Sequence, residues 1–306
     1  MKSSSRREFL QSSAILLTSA VIPSSFNAVK YKPLLSFSTL GCPDWEFSRI
    51  IDFAAAHYYD AIEIRGIKRE LDLPKCHEFS NAENIKTTLR MMEDQNLKFS
   101  DLGSSATLHF PKGAEREKNL DDGKRFIDLA VQLNCPYVRV FPNNFPKDQE
   151  KNATIDLIVQ GLLFLADYAK GSNVTVLVES HGDLVHIEDI EKVMQFAENK
   201  HTGMIWDVVN MWTITKEPPA EAYRRLKKYI RHTHIKDAKI NDGKINYVFL
   251  GEGETPVFGA IDYLSGDGYK GYFSFEWEKM WHPEIASPEL ALADFSKKMM
   301  EHFNKQ

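Results

Sequence analysis

The sequence has few cysteines, no excess of positive charge and no linker-like segment after residue 30. Its 306 residues contain three cysteines, Cys42, Cys76 and Cys135, whose odd number and wide spacing predict neither a disulfide framework nor a clustered-cysteine metal site. The formal net charge is −5, which argues against nucleic acid as a partner because such partners normally meet a basic patch. No Pro/Gly/Ser-rich linker or low-complexity tract divides residues 31–306, so we expect one domain there.

The first 30 residues have a different pattern from the rest. Arg6 and Arg7 precede a weakly apolar run, residues 14–22, which is typical of a twin-arginine (Tat) export signal. The run is too short to cross a bilayer as a helix. We therefore predict that residues 1–30 are a Tat signal peptide that engages the Tat translocase and directs a periplasmic or exported location. Cleavage at Ala20 or Ala28 stays open, and a basic N-terminus with a chance arginine pair is the alternative.

Residues 31–306 alternate short apolar runs with segments of helical periodicity. Eight strands, each followed by a helix, predict a single-domain α/β (β/α)8 TIM barrel. An open doubly wound sheet competes, but it would prefer a Gly-rich phosphate loop after an early strand, and the sequence has none. The predicted strands are Leu34–Ser38, Ala61–Ile64, Lys98–Leu102, Tyr137–Val140, Thr175–Val178, Gly203–Trp206, Ile230–Ile235 and Gly271–Phe275. The predicted helices include Phe47–His57, Ala82–Gln95, Gly123–Leu133, Thr154–Lys170, Ile187–Glu198 and Pro219–Tyr229.

Polar side chains occur at the carboxyl ends of these strands, although parallel strands buried on both faces should be apolar. Glu179, Asp207 and Glu276 end three of the strands, and His232 and His234 lie on a fourth. In a TIM barrel this end faces the active-site mouth, and ionisable groups there are costly to bury unless they bind a metal or pair. Three carboxylates and one imidazole suit Mn²⁺, Mg²⁺, Co²⁺ or Zn²⁺, with ordinary salt bridges as the alternative.

Several short motifs, taken in order and spacing, carry a resemblance that covers about residues 34–304. The chain resembles the sugar phosphate isomerase/epimerase superfamily, the xylose isomerase-like barrels that share a fold with endonuclease IV and are also called the AP endonuclease family 2 type. The motifs are at residues 38–45, 61–65, 178–181, 206–210, 232–237, 250–254 and 275–276.

The resemblance implies one bound divalent metal ion, for which we expect Mn²⁺, with Mg²⁺, Co²⁺ or Zn²⁺ as alternatives. His232 competes with His234 because alternate residues of a strand share a face. The family ligand precedes an Ile-Lys-Asp triplet, which favours His234. Glu278 competes with Glu276, which is favoured because it ends the apolar run. The implied ligands are Glu179, Asp207, His234 and Glu276.

The sequence departs from the trinuclear nucleases of this fold. Those enzymes carry a histidine three residues after the aspartate of strand six, where this chain has Asn210. They also need a histidine after strand seven, and residues 238–258 contain none. We therefore expect no nucleic-acid substrate.

Members of the family work next to a carbonyl, which the metal polarises while two carboxylates move a proton. The resemblance assigns the carboxylate role to Glu179 and Glu276. We expect a metal-dependent sugar isomerase or epimerase acting on an unphosphorylated carbohydrate, because phosphorylated sugars are scarce in a periplasm. A lyase or hydratase that acts on a 3-keto-glycoside by β-elimination is the alternative, since it begins with the same proton abstraction. A non-catalytic carbohydrate-binding barrel is the third hypothesis.

Further polar and aromatic side chains are predicted substrate contacts, each with a structural alternative. His181 could only orient its neighbours, and Lys236 could form a salt bridge to Asp237 or Glu63. A lone loop histidine such as His109 is commonly solvated, and a loop tryptophan commonly packs. The sequence is compatible with a homo-oligomer. The predicted contacts are His181, Asn210, Lys236, Glu63, Arg65, Arg139, His109 and Trp45.

Overall fold

The computed structural model describes residues 31–305, so the predicted signal peptide lies outside the described residues. Eight parallel strands form the barrel: β1 Leu34–Ser38, β2 Ala61–Ile64, β3 Lys98–Thr107, β4 Tyr137–Phe141, β5 Thr175–Glu179, β6 Thr202–Asp207, β7 Ile230–Ile235 and β10 Tyr272–Phe275. They close in the order β1-β10-β7-β6-β5-β4-β3-β2. This closed barrel confirms the predicted fold class.

Helices follow the strands along the chain and pack their apolar residues inward. The first helix, for example, buries Phe47, Ile50, Ile51 and Ala54, which are spaced to share one face. The helices are α1 Phe47–Ala56, α2 Ala82–Asp94, α3 Ala114–Gln132, α4 Lys151–Tyr168, α5 Ile187–Phe196, α6 Val208–Thr215, α7 Pro219–Leu226, α8 Val257–Gly266 and α9 Pro288–Asn304.

Helix α3 begins nine residues before the predicted start at Gly123. Its first two turns are rich in charged residues, so they show no apolar periodicity. Arg116 lies in this stretch and is buried, because its guanidinium donates to the carbonyls of Leu108, Phe110 and Leu157. Helix formation here depends on tertiary hydrogen bonds that a hydrophobic pattern does not reveal.

A two-stranded antiparallel hairpin, β8 Asp237–Asn241 and β9 Lys244–Val248, interrupts the alternation after β7 and was not predicted. Asp237 anchors the loop that follows it, because its Oδ2 accepts hydrogen bonds from the backbone of Gly251 at 2.8 Å and Gly253 at 3.0 Å. A side chain at position 253 would collide with Asp237 Oδ1. The Gly-rich segment therefore binds the protein's own carboxylate at these two amides.

Two further observations bear on the chain as a whole. Within residues 31–305, no helix has the length and apolar character needed to cross a membrane. The three cysteines are buried free thiols, in agreement with the absence of a predicted disulfide framework.

Candidate metal centre

Four strand ends bring Glu179, Asp207, His234 and Glu276 together at the carboxyl end of the barrel. One ligand atom from each lies within 4.8 Å of the others. His234 Nδ1 is 3.1 Å from Glu179 Oε1 and 3.3 Å from Glu276 Oε1, and it is 4.0 Å from Asp207 Oδ2. All four residues are buried. We call this group the ligand layer.

The barrel register and local hydrogen bonds orient the ligand layer. Asp207 is opposite His234 in the β6–β7 pairing. Asp207 Oδ1 accepts from the backbone of Asn210 at 2.8 Å and so caps α6, while its Oδ2 points toward His234 and Lys236. Its backbone N–H donates to Ser180 Oγ at 2.9 Å. One carboxylate oxygen is thus used by the fold, and the other is left for the site.

Below the ligand layer, a second set of polar groups fills the barrel interior. Glu63 Oε2 accepts from His232 Nε2 at 2.9 Å, from His234 Nε2 at 3.2 Å and from Ser274 Oγ at 2.9 Å. Asp101 is the register neighbour of Glu63 on β3. We call Glu63, Asp101, His232 and Ser274 the inner layer; each is fully buried.

Glu63 determines which nitrogen of His234 faces the other carboxylates. With Nε2–H donated to Glu63, the lone pair of Nδ1 is directed at Glu179 and Glu276 when the imidazole is neutral. A carboxylate behind a ligating histidine is the usual support for a metal site. His232, by contrast, uses Nε2 for Glu63, and its Nδ1 has no hydrogen-bond partner in the described residues.

Lys236 closes one side of the ligand layer. Its Nζ lies 2.8 Å from Asp207 Oδ2, 2.5 Å from Glu276 Oε2 and 2.7 Å from Glu278 Oε1. Burial lowers the pKa of a lysine, but these three carboxylates outweigh it, so the pKa of Lys236 lies well above its usual value. Lys236 is therefore a buried ammonium, and it pairs with neither Asp237 nor Glu63, the two partners considered from sequence.

The pKa values in the ligand layer diverge because the cations are unevenly distributed. Burial acts to raise the pKa of Glu179, but His234 and Arg139 hold it far below the usual range. Burial raises the pKa of Asp207 to about 7, with Lys236 opposing the rise and Glu276 and Glu179 adding to it. The pKa of His234 is raised well above 6.5, since the surrounding carboxylates outweigh the effect of burial. Without an ion, His234 is thus an imidazolium that satisfies its carboxylate neighbours.

A cavity of about 160 Å³ opens above the ligand layer. It is lined by Leu40, Arg65, Arg139, Phe141, Glu179, His181, Lys236, Glu276, Glu278 and Trp281. Four of the predicted substrate contacts are therefore at the cavity: Arg65, Arg139, His181 and Lys236. The ring of His181 lies 4.7 Å from that of Phe141, and its Nδ1 has no hydrogen-bond partner in the described residues.

The other four predicted contacts are not among the described residues that line this cavity. Glu63 lies beneath it in the inner layer, and Asn210 Nδ2 donates to Ser180 O at 3.3 Å. His109 is buried rather than solvated, with Nδ1 3.2 Å from Pro142 O. Trp45 is buried against Phe53, with the guanidinium of Arg49 over its ring. For these residues the structure shows supporting contacts.

A larger cavity of about 960 Å³ lies near the amino ends of the strands, where Lys98, Pro136 and Tyr272 contribute to its lining. It contains none of the clustered ionisable groups described above. Active sites of TIM barrels lie at the opposite, carboxyl end. Chemistry and fold therefore favour the smaller cavity.

The donor set of the ligand layer fits a divalent metal ion. Neighbouring ligands of an ion bound at about 2.1 Å lie about 3 Å apart, which matches the separations of His234 Nδ1 from Glu179 and Glu276. Asp207 Oδ2 and Glu179 Oε2 are buried and accept no hydrogen bond of good geometry from the described residues. Glu63, His232 and His234 form a second possible group, but there Glu63 Oε2 already accepts from both histidines, and only Glu63 Oε1 and His232 Nδ1 have no hydrogen-bond partner among the described residues.

Sequence reasoning missed two parts of this site. Asp101 is a charged residue inside a predicted strand, and that irregularity was the available signal. Its carboxyl oxygens accept no hydrogen bond from the described residues, and burial together with Glu63 raises its pKa well above the usual value. Tyr247, on the unpredicted hairpin, donates to Glu278 Oε1 at 2.8 Å. Its position could not be inferred without the hairpin.

The closed barrel, with a metal-type ligand layer at its carboxyl end, defines the class of this protein. The model of the xylose isomerase-like TIM barrel family matches residues 51–300. The chain belongs to this family. No curated protein matches the sequence.

Solved structures share the fold at low sequence identity. The zinc-bound IOLI protein is 16% identical with a TM-score of 0.74, over 89% of this chain and 98% of that one. The 3-keto-D-glucoside 4-epimerase YcjR from E. coli is 14% identical with a TM-score of 0.68, over 89% and 100%. The probable 3-DHS dehydratase AsbF from Bacillus anthracis is 17% identical with a TM-score of 0.70, over 87% and 98%. These similarities establish the fold.

Proposed function

We propose that this protein is a metal-dependent isomerase or epimerase that moves a proton next to a carbonyl of an unphosphorylated carbohydrate. The observation that carries the proposal is that Glu179 and Glu276 both line the cavity and both lie close to His234 Nδ1, at 3.1 and 3.3 Å. The epimerase and dehydratase among the proteins of similar fold agree with chemistry of this kind.

Glu179, Asp207, His234 and Glu276 would hold the ion, which we propose to be Mn²⁺, with Mg²⁺, Co²⁺ or Zn²⁺ as alternatives. When bound, a divalent ion supplies Lewis-acid polarisation of a substrate carbonyl. Glu63 keeps His234 in the tautomer that presents Nδ1. The ligand residues at the base of the cavity are buried, which strengthens electrostatic interactions among them.

The proton transfers fall to the two glutamates. One carboxylate removes the proton from the carbon next to the carbonyl, and the other returns a proton to the opposite face or to the neighbouring carbon. Arg139 Nε, 3.3 Å from Glu179 Oε2, and Lys236 Nζ, 2.5 Å from Glu276 Oε2, each orient one of the two carboxylates. Each glutamate therefore has its own cationic partner, which suits two carboxylates that act in sequence.

A β-elimination is the second candidate, since it begins with the same removal of a proton next to a carbonyl, and the probable dehydratase among the proteins of similar fold agrees with it. An elimination also needs an acid at the leaving group, which the carboxylate that does not remove the proton can supply once it is protonated. Lys236, whose pKa three carboxylates hold well above its usual value, would stabilise negative charge rather than act as that acid. A 3-keto-glycoside would be the substrate class in that case.

The proposal is tested by hydrogen exchange. The Mn²⁺-loaded protein is incubated in D₂O with a panel of ketoses and 3-keto-glycosides, and NMR records deuterium incorporation and product formation. We expect exchange at the carbon next to the carbonyl in at least one substrate, and a loss of about 100-fold or more in Glu179→Gln. Glu217→Gln, which changes a glutamate that bonds to the backbone of Ile187, is the matched control. Absence of exchange across the whole panel contradicts the proposal.

We also propose that the protein is exported through the Tat translocase. The support is the Arg6-Arg7 pair and the apolar run after it. Replacing both arginines by lysine keeps the charge and should retain the protein in the cytoplasm, whereas the parent should be found in the periplasmic fraction. Equal export of the two forms contradicts this proposal.

A further inference from the structure

Two buried guanidinium groups form one wall of the cavity. Arg65 follows β2 and Arg139 lies on β4, and their exposed fractions are 6% and 1%. The backbone of Gly103 lies between them, since a Cβ there would be 2.9 Å from both Arg139 Nη2 and Arg65 Cδ. A side chain at position 103 would push the two arginines apart. Their close approach is therefore built into the backbone.

The arginine wall has few partners for its donors. Arg65 donates to Ser105 Oγ at 3.0 Å and to Gly103 O at 3.5 Å. Arg139 stacks on Phe141, with its guanidinium carbon 3.7 Å from the ring centre. Its Nη1 is buried and has no hydrogen-bond partner among the described residues. Its Nε forms an ion pair with Glu179 Oε2 at 3.3 Å, without the geometry of a hydrogen bond, and Glu179 is itself a proposed metal ligand.

On another part of the cavity lining, Lys236 is a buried cation whose charge is fully paired. Lys236 has three carboxylate oxygens within 2.8 Å. A buried cation without such partners is costly. Burial, and next the charge of Arg139, lower the pKa of Arg65 to about 9, despite three nearby glutamates. The two arginines therefore bring more hydrogen-bond donors to the cavity than their surroundings use.

We propose that Arg65 and Arg139 bind a carboxylate of the substrate, so that the substrate class is an acidic sugar. This inference rests on the proposed function for the rest of the substrate. A guanidinium presents paired N–H donors that match a planar carboxylate, and two guanidinium groups can donate hydrogen bonds to both carboxylate oxygens. A phosphate monoester offers related oxyanion chemistry, but it is bulkier, and the cavity measures only about 160 Å³.

The test compares acids with neutral sugars that are otherwise alike. Calorimetry measures binding to the Mn²⁺-loaded full chain of D-glucuronate against D-glucose, D-galacturonate against D-galactose and D-gluconate against D-glucitol. Glucose 6-phosphate and galactose 6-phosphate form the phosphate arm. We expect at least one acid to bind 10-fold or more tightly than its neutral partner, and neither phosphate to show such a gain.

Substitutions assign the preference to the arginines. Arg65→Met and Arg139→Met should each weaken binding of the preferred acid 10-fold or more, measured on protein that metal analysis shows to be fully loaded with Mn²⁺. Arg49→Met, which breaks an exposed pair with Glu289, should leave binding unchanged. If a methionine variant fails to fold, Arg65→Lys and Arg139→Lys replace it. The lysine variants keep the positive charge but lose the paired N–H donors of the planar guanidinium, so the preference for the acid should still fall severalfold.

Several outcomes overturn the inference. If every acid binds no more tightly than its neutral partner, the inference is refuted. An acid preference that survives both substitutions also refutes it, because the carboxylate would then bind elsewhere. If only the phosphates bind more tightly than the neutral sugars, the arginines bind a phosphate and the carboxylate assignment is wrong.

Measurements of binding and of turnover distinguish this inference from the proposed function. Arginine-dependent binding without hydrogen exchange would refute only the enolisation chemistry, while exchange in neutral sugars without acid preference would refute only the carboxylate assignment.

Discussion

The ligand layer and the inner layer contain the same kinds of residue, yet their partners differ. In the inner layer, Glu63 Oε2 is shared by three donors from His232, His234 and Ser274. In the ligand layer, three carboxylates surround one nitrogen of His234, and two of them, Glu179 and Glu276, line a cavity. Residue type alone therefore does not define a metal site. An inner carboxylate that accepts from both histidines through one oxygen orients the ligand, and the set that opens to a cavity can hold the ion.

The largest expected difference is between the two histidines of β7. His234→Ala removes a ligand and should weaken Mn²⁺ binding by more than about 100-fold, beyond the usual effect of an outer residue. His232→Ala should weaken it by about 10-fold at most. Both side chains are fully buried on the same strand, so each substitution leaves a similar cavity. Equilibrium dialysis with metal analysis makes the comparison, and equal losses in the two variants would refute the division into layers.

Removing the metal should produce the next largest effect, and it should depend on pH. At an ion concentration 1,000 times Kd, binding stabilises the folded state by about 4 kcal/mol, so a chelator should lower Tm by several degrees. His234, whose pKa is raised, and Asp207, whose pKa is raised to about 7, must lose their protons when the ion binds. Metal affinity should therefore rise as pH increases through 7, and calorimetry in buffers of different ionisation heat should detect proton release. An affinity that is constant between pH 6 and 8 would contradict this.

Glu63→Gln should have an intermediate effect. The amide keeps the size of the side chain but removes the charge that holds the Nε2–H tautomer of His234. Loss of such an outer carboxylate typically costs about 10- to 100-fold in metal affinity. Glu70→Gln, at an exposed glutamate that bonds to the backbone of Asp72, is the control. An unchanged affinity in Glu63→Gln would show that the inner layer does not support the ligand layer.

The smallest effect is expected at Asp101. Its pKa is raised in the folded state, so folding binds a proton that the unfolded chain releases above its usual pKa of 3.8. Stability is therefore lost as pH rises from about 4 toward the folded pKa. Asp101→Asn removes this loss. The free energy of unfolding of the variant, relative to that of the parent, should therefore be greater at pH 8 than at pH 5 by about 1 kcal/mol or more, and its relative Tm should be higher. A difference of the opposite sign would mean that the Asp101 carboxylate is ionised and partnered in the native protein.

The sequence predicts the barrel well because its strands are short, buried and regularly spaced. All eight predicted barrel strands overlap the observed ones, and the polar strand ends meet at the carboxyl end of the barrel. The hairpin at residues 237–248 was missed because its half-exposed strands lack the continuous apolar run of the barrel strands. The available signal was the alternation of polar and apolar residues on both sides of Asp242-Gly243, a pair that favours a tight hairpin turn.

The partners within the site could not be predicted as well. Glu63 is the third of the four residues of β2, whereas Glu179 is the last residue of β5, and this position together with the stagger between neighbouring strands places Glu63 one layer deeper. That stagger is a property of the closed barrel and is not visible in any single strand. Lys236 was considered with Asp237 and Glu63, but its partners come from β6 and from the segment after β10. These contacts depend on closure of the barrel between distant parts of the chain.

Anomalous diffraction from crystals of the Mn²⁺-loaded protein, recorded above the manganese absorption edge, tests directly whether the ion lies in the ligand layer. We expect one strong peak within bonding distance of Glu179, Asp207, His234 Nδ1 and Glu276, and no peak among Glu63, His232 and His234 Nε2. A peak in the inner layer, or no peak at either position, would contradict this expectation.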